Sequence, residues 1–393
     1  MSDLNVLFIM TDQMRADCMS CGGHPVVETP NLDALAARGV RFPNTFVQSA
    51  VCGPSRMCFY TGRYPHATRS PWNDVPLPAD ERTMGHHFSE AGYRAALCGK
   101  THYVSDPFAK TGEAASEKIR LTTLDGLEEF ELNDGRGAGW CSYLREKGYP
   151  DAVVQNPFLQ DIPDDTKGVD RSAFPTVVGS EGSDTAYMTN RAIEFMDQTG
   201  DRPWFLHLSY FKPHLPIVAP YPYNEMYDPS LSPEPNRDEE ELENPHPLHI
   251  PYRTERRSLD YDEESVWRQR RATCYGLIRE IDDHLGRLFA WMKEKGLWEK
   301  TLICFTSDHG EYVGDHWMFE KELFYDEAYR VPFILYDPRP EADGSRGRVE
   351  DSFVESIDAV PTFLEASGLS IPPAVQGRSL MPFTRSEKLE NEQ

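Results

Sequence analysis

Short apolar runs alternating with helix-period segments constrain this chain more than any other feature of it. Val6–Met10, Arg94–Cys98, Trp204–Leu208, Leu302–Thr306, Pro332–Leu335 and Phe353–Glu355 read as strands, and Leu32–Arg38, Gly85–Ala91, Asp184–Asp197, Val266–Glu294 and Ala359–Ala366 as helices. The longest helix carries Leu277, Ile281, Leu285, Leu288 and Met292 at three- and four-residue spacing, which lines one face. This alternation predicts an α/β fold: a large, mostly parallel sheet sandwiched by helices. Ligand sites in such sheets lie beyond the carboxyl ends of the strands. Two acidic motifs fall there, Asp12-Gln13 after the first strand and Asp308-His309-Gly310 after Leu302–Thr306.

Two stretches break the pattern, Ser105–Gly182 and Lys212–Ser265. They are expected to form irregular loops that wall a substrate cleft. The acidic run Asp238–Glu241 within the second reads as a solvated loop. Length alone, 393 residues, admits one large domain or two.

The formal net charge is −24. A nucleic-acid partner is thereby excluded, because phosphate binding needs a basic field, and an anionic membrane surface is disfavoured on the same ground. A small anionic substrate is not excluded, since a few buried cations dominate the field inside a site. No segment approaches the length of a membrane span. Leu4–Met10 runs straight into Thr11-Asp12-Gln13 with no basic start and no small-residue cleavage site, so it is a buried strand and not a leader. Cytoplasmic residence and eight free cysteines are the matching expectation. Cys18-x-x-Cys21 has no second pair or nearby ligand cluster to complete a metal site.

Chemistry concentrates in Cys52-Gly53-Pro54-Ser55-Arg56, followed by Thr61-Gly62. Pro54 suits the first turn of a helix, where a missing N–H costs nothing. Cys52 would then sit at the positive end of that helix, which stabilises an anionic nucleophile or substrate. A buried cysteine ahead of an ordinary helix satisfies the same local physics.

The motif resembles the signature of the sulfatase family, within the alkaline phosphatase superfamily. Asn5–Gln13 resembles the opening strand and first metal ligands of that family, and Thr29–Leu35 its next segment. Gly99-Lys100-Thr101-His102 resembles its Gly-Lys-x-His motif and Phe211-Lys212-Pro213-His214 its Pro-His motif. Thr306–Glu311 with Gly314-Asp315-His316 resembles its second metal segment, and Lys321 falls where a site lysine is expected. The matches run in family order from about Leu4 to Phe383, which assigns 1–383 to one catalytic domain and 384–393 to a polar tail. Family members continue into a small C-terminal subdomain after the segment resembling Gly377–Leu380; here that subdomain is expected to be absent or truncated. Asp-Gln at the first metal segment and Asp-His at the second are closest in flavour to choline-sulfatase-like enzymes and phosphonate monoester hydrolases. Asn73 resembles a site asparagine of the phosphonate hydrolases, whereas Lys100 and His102 resemble the sulfatase pattern.

The resemblance implies hydrolysis of sulfate monoesters, with phosphonate monoester or phosphodiester hydrolysis as the alternative. It implies a maturation enzyme that converts Cys52 to formylglycine, the nucleophile precursor. One divalent metal, Ca²⁺ or Mn²⁺, would be held by Asp12, Gln13, residue 52, Asp308 and His309. Arg56 would hold the nucleophile or a metal ligand in place. Lys100 and Lys321 would neutralise charge on the reacting group, with Asn73 and His214 also contacting substrate. His214 would be the acid for the leaving oxygen and His102 the base that regenerates the aldehyde. His86, His87 and His316 are expected to be structural. A homo-oligomer is allowed. A two-metal phosphatase or phosphomutase would need a Ser or Thr nucleophile and a second ligand set, and a catalytically dead binding protein would have lost ligands. Neither signature is present.

Overall fold

The computed structural model describes residues 4–104, 121–164, 166, 168–254 and 260–385. Most of the expected polar tail, 386–393, lies outside the described residues. Eight strands form the main sheet: β1 (Asn5–Asp12), β2 (Val40–Arg41), β3 (Arg94–Gly99), β4 (Glu128–Leu132), β5 (Trp204–Pro213), β6 (Thr301–Ser307), β7 (Phe333–Tyr336) and β8 (Arg348–Val349). Their spatial order is β8-β2-β7-β6-β1-β5-β3-β4. The pairs from β6 through β1, β5 and β3 to β4 are all parallel; β7 runs antiparallel to both β6 and β2.

The central place of β1 explains its unbroken apolar sequence. Leu7 and Ile9 enter the core on one face, with Trp204, Leu206, Leu208, Ile303 and Phe305 of the neighbouring strands. Helices α5 (Asp184–Asp197) and α6 (Glu264–Glu294) cover that face through Met188, Phe195, Ile281, Leu285 and Leu288, with α1 (Pro30–Ala36) beside them. Val6, Phe8 and Met10 point the other way, into a second core. There α2 (Cys52–Thr61), α3 (Met84–Glu90) and α7 (Ala359–Ala366) supply Met57, Phe59, Phe88 and Phe363. The alternation of side chains along one strand thus feeds two cores, one per layer of helices. Each fully buried Leu, Ile or Phe of this kind stabilises the fold by about 1.5–3 kcal/mol.

Three elements differ from the sequence expectation. Phe353–Glu355 shortens to Val354–Glu355 and pairs with Thr45–Phe46 outside the main sheet. Ser105–Gly182 is not wholly irregular: it contributes β4 and the helix α4 (Ala138–Glu146). β4 reads Glu-Glu-Phe-Glu-Leu, and its edge position needs no continuous apolar run. The strand expected to end at Leu208 continues to Pro213 with every residue buried. Among the described residues, no helix is long and apolar enough to cross a membrane.

Candidate active site

The register of β1 against β6 builds the site. Thr11 lies opposite Ser307, so the next residues of both strands, Asp12 and Asp308, emerge at one end of the sheet. Two bonds lock the turn there: Asp308 N–H donates to the Thr11 carbonyl at 3.2 Å, and Gln13 N–H to Asp308 Oδ1 at 3.0 Å. Gln13 holds a φ of 71°, in the left-handed region that non-glycine residues rarely adopt, and this turn is what holds it there.

Helix α2 points its N-terminus into the same place. Cys52 is its first residue, and the cap position, Val51, offers no side-chain hydrogen bond. Asn73 takes that role from a distant loop, its Oδ1 accepting from the Gly53 N–H at 2.7 Å. The helix ends where Gly62, at φ 67°, turns left-handed and returns its N–H to the Cys58 carbonyl.

One turn on from Cys52, the fully buried guanidinium of Arg56 ties four strand ends together. Its Nε donates to Asp308 Oδ2 (2.8 Å) and Nη2 to Asp12 Oδ2 (3.1 Å). Nη1 donates to the Lys100 carbonyl (2.9 Å) and to Ser209 Oγ (2.8 Å). Ser55, beside it, donates its hydroxyl to the Asp308 carbonyl at 2.5 Å. A buried charge is tolerable only when paired and hydrogen-bonded this fully.

Ligand atoms of Asp12, Cys52, Asp308 and His309 all lie within 4.8 Å of one another. His309 Nδ1 donates to the Gly310 carbonyl at 2.9 Å, which turns Nε2 toward Cys52 Sγ at 3.1 Å. Burial pushes the His309 imidazole down, yet Asp308 and the Cys52 sulfur hold it up at about 9. The negative field responsible is one that holds a cation. Two carboxylates, an imidazole and the group at residue 52 form a mixed oxygen and nitrogen set suited to a divalent metal.

Cations ring the opposite side. Lys100, nearly fully buried, places Nζ 2.7 Å from Asp12 Oδ2 and 3.3 Å from Asp134 Oδ1. Lys321 Nζ donates to Gln13 Oε1 at 2.9 Å and to His214 Nε2 at 3.1 Å. A lysine ammonium only donates, so His214 Nε2 accepts; its Nδ1 carries the proton and donates to the Leu215 carbonyl at 3.0 Å. Burial alone would push the Cys52 thiol up. Lys321, His309, Lys100 and a hydrogen bond from His102 instead hold it well below the thiol range. An anion at position 52 is therefore stabilised. His102 sits at φ 50°, and its Nδ1 has no hydrogen-bond partner among the described residues.

All eleven residues singled out in the sequence thus converge on one site. Gln13 is the outlier of the ligand set, with its Oε1 engaged by Lys321 and its Nε2 donating to Glu311. Three supporting residues were not singled out. Glu311 stood inside a quoted motif without a role. Ser209 lies past the expected end of its strand, and Asp134 follows the edge strand β4. Their partners, Gln13, Arg56 and Lys100, are distant in sequence, so no local signal marks them. His86 caps α3 with Thr83, and His316 lies between Glu241 and Glu327, both outside the site. Cys18 and Cys21 belong to no ligand cluster among the described residues, and all eight cysteines are free.

Residues 4–369 match the family model described as Sulfatase. The phosphonate monoester hydrolase of Agrobacterium radiobacter superposes with a TM-score of 0.92 at 32% identity, over 99% of this chain and 79% of that one. A multifunctional alkaline phosphatase superfamily protein, PehA of Trinickia caryophylli, is 34% identical over 99% of this chain and 78% of its own length. An arylsulfatase of Clostridium perfringens is 30% identical over 96% of this chain and 77% of its own.

Proposed function

Because the chain belongs to the sulfatase family, we propose that it hydrolyses small sulfate monoesters through a formylglycine made from Cys52 by a maturation enzyme. The observation that carries this reading is the joint placement of Lys100 and His102 at Cys52, with the Lys100 ammonium on Asp12. The donor set at Asp12, Gln13, Asp308, His309 and residue 52 suits one divalent cation, Ca²⁺ or Mn²⁺. Such an ion would supply Lewis-acid polarisation and lower the pKa of a nucleophilic hydroxyl. The hydrated aldehyde would supply that hydroxyl.

The chain's own side chains do the rest. Arg56 binds Oδ2 of both Asp12 and Asp308, which leaves the two Oδ1 atoms turned toward His309, where a cation would sit. Lys100 and Lys321 stand where charge on the reacting oxygens would develop, both buried, where such pairing is strong. His214 Nε2 delivers a proton to the leaving oxygen. In the resting geometry that nitrogen accepts from Lys321, whose ammonium stays charged, so Nε2 must first take up a proton from solvent. His102 removes the remaining hydroxyl proton from residue 52, so that the bond from its carbon to the sulfated oxygen breaks, sulfate leaves and the aldehyde re-forms. We place the chain in the cytoplasm, which its eight free cysteines support.

A second reading, phosphonate monoester or phosphodiester hydrolysis, is favoured by Asn73 on the Gly53 N–H and by the close likeness to a phosphonate monoester hydrolase. Both ester types present a singly charged tetrahedral centre, so side activity on the second class is expected. The test is kcat/KM on matched aryl sulfate, phosphonate and phosphate diester substrates at fixed metal. Sulfate turnover should lead. A phosphonate or diester lead of more than about a hundredfold, roughly 2.7 kcal/mol in transition-state binding, would reverse the assignment.

A further inference from the structure

Lys212, the residue before the cis-bonded Pro213 at the end of β5, is buried and belongs to none of the roles above. Its ammonium does not reach the metal ligands. It bends back under the loop that carries His214, donating to the Pro216 carbonyl at 2.6 Å and to the carbonyl of His214 itself at 3.3 Å. Two backbone acceptors on either side of Leu215 are thus held by one side chain. The rings of Phe158 and Phe211 lie 4.3 and 5.5 Å from the same Nζ and close off solvent.

The other side of the ammonium faces two buried carboxyl groups. Asp184, the first residue of α5, and Glu280, midway along α6, line one small cavity with Lys212. Asp184 Oδ2 and Glu280 Oε1 have no hydrogen-bond partner among the described residues, although both side chains are almost fully buried. Unpaired buried carboxyl oxygens are costly, and a cation beside them is what makes the arrangement tolerable. Burial pushes Glu280 up to about 8 and Lys212 down to about 8, each shift opposed by the other group. Lys212, Asp184 and Glu280 thus meet in one small cavity between the His214 loop and the α5 and α6 layer.

We propose that Lys212 is a positioning residue for His214: its ammonium holds the carbonyls of His214 and Pro216 and so sets the imidazole against Lys321. The role rests on His214 as the acid for the leaving oxygen. Without the clamp, the loop gains freedom, Nε2 leaves Lys321, and proton delivery fails while the nucleophile and the metal ligands stay in place.

The test compares Lys212→Met with the unsubstituted enzyme on aryl sulfates of rising leaving-group pKa. Should Lys212→Met alone not fold, Lys212→Met/Glu280→Gln, which strands less charge, is read instead. Poor leaving groups need the proton and should slow by about a hundredfold, the scale of one general acid, while good ones change by no more than about threefold. Lys212→Arg, which keeps a cationic donor, should recover part of the loss, and bound metal should be unchanged. A second measurement follows the ¹⁵N resonance of His214 Nε2, assigned by its disappearance in His214→Ala. It should shift in the Lys212→Met protein as the bond from Lys321 is lost. Equal slowing across all leaving groups, or an unmoved resonance, would overturn the proposal. If His214→Ala itself slows all leaving groups equally, His214 is not the acid; the resonance alone then decides whether Lys212 positions it.

Discussion

At residue 52 the surroundings explain why a small, oxidisable side chain is used. It sits at a helix N-terminus, against an imidazole, with Lys100 and Lys321 nearby, so an anion there is favoured whatever its chemistry. Conversion of the thiol to an aldehyde should lower the mass of the peptide containing residue 52 by about 18 Da. Unmodified cysteine in active enzyme from its native host would refute formylglycine. Glu311 is the less obvious residue. Its carboxylate accepts from Gln13 Nε2 and from the Val313 N–H, which fixes the carboxamide so that Oε1 faces Lys321. Glu311→Leu removes the acceptor and lets the amide turn over, whereas Glu311→Gln keeps one. Metal affinity measured by calorimetry should fall by about ten- to a hundredfold in the first and less in the second. Equal affinity in both would show that Gln13 is not held this way.

Among the elements, the turn that follows β6 leaves no room for a side chain at Gly310. An added methyl at Gly310 would lie 1.8 Å from the backbone carbonyl of Glu327, a contact that can be relieved only by moving one segment. Gly310 and Glu311 already bond that segment through the Ala328 and Glu327 carbonyls, so the turn and not a flexible side chain must yield. Gly310→Ala should therefore displace Asp308 to Glu311 and cut turnover by more than its loss of stability implies. Circular dichroism melting beside kcat/KM measures both, and a variant with normal kcat/KM would show that the turn has slack. Asn73 makes the related point for α2: a helix without a cap of its own borrows one from a loop 20 residues away.

For the whole molecule, the site is a junction of the two halves of the chain. β1 and α2 bring Asp12, Cys52 and Arg56; β6 and the following loop bring Asp308, His309 and Lys321, and the buried Arg56–Asp308 ion pair joins them. An ion bound only by the folded state adds stability by mass action, about 4 kcal/mol when free metal exceeds its dissociation constant a thousandfold. Removing metal with a chelator should thus lower the melting temperature by several degrees and abolish turnover, with both restored by Ca²⁺ or Mn²⁺. An unchanged melting temperature after verified metal loss would mean that Arg56, Lys100 and Lys321 balance the site's carboxylates without an ion.

The sequence by itself determined the fold class and nearly every chemical group of the site. β1 and β6 were legible as strands from their apolar runs, and α5 and α6 from their spacing. Short polar motifs at strand ends exposed Asp12, Asp308 and His309 because one residue after a buried strand has few other uses for a carboxylate or imidazole, whereas Cys52 was marked by the resemblance of its motif to the sulfatase signature. β4 was not legible, since an edge strand needs only one covered face and can be rich in glutamate. Nor were the two antiparallel pairings of β7, which depend on its neighbours. Tertiary structure alone decided what each group is bonded to. It assigned Asn73 to a helix end, Glu311 to the Gln13 amide, Lys321 to His214, and Lys212 to the loop beneath it. Those partners lie up to 298 residues apart, and an electrostatic or hydrogen-bonding preference carries no record of distance along the chain.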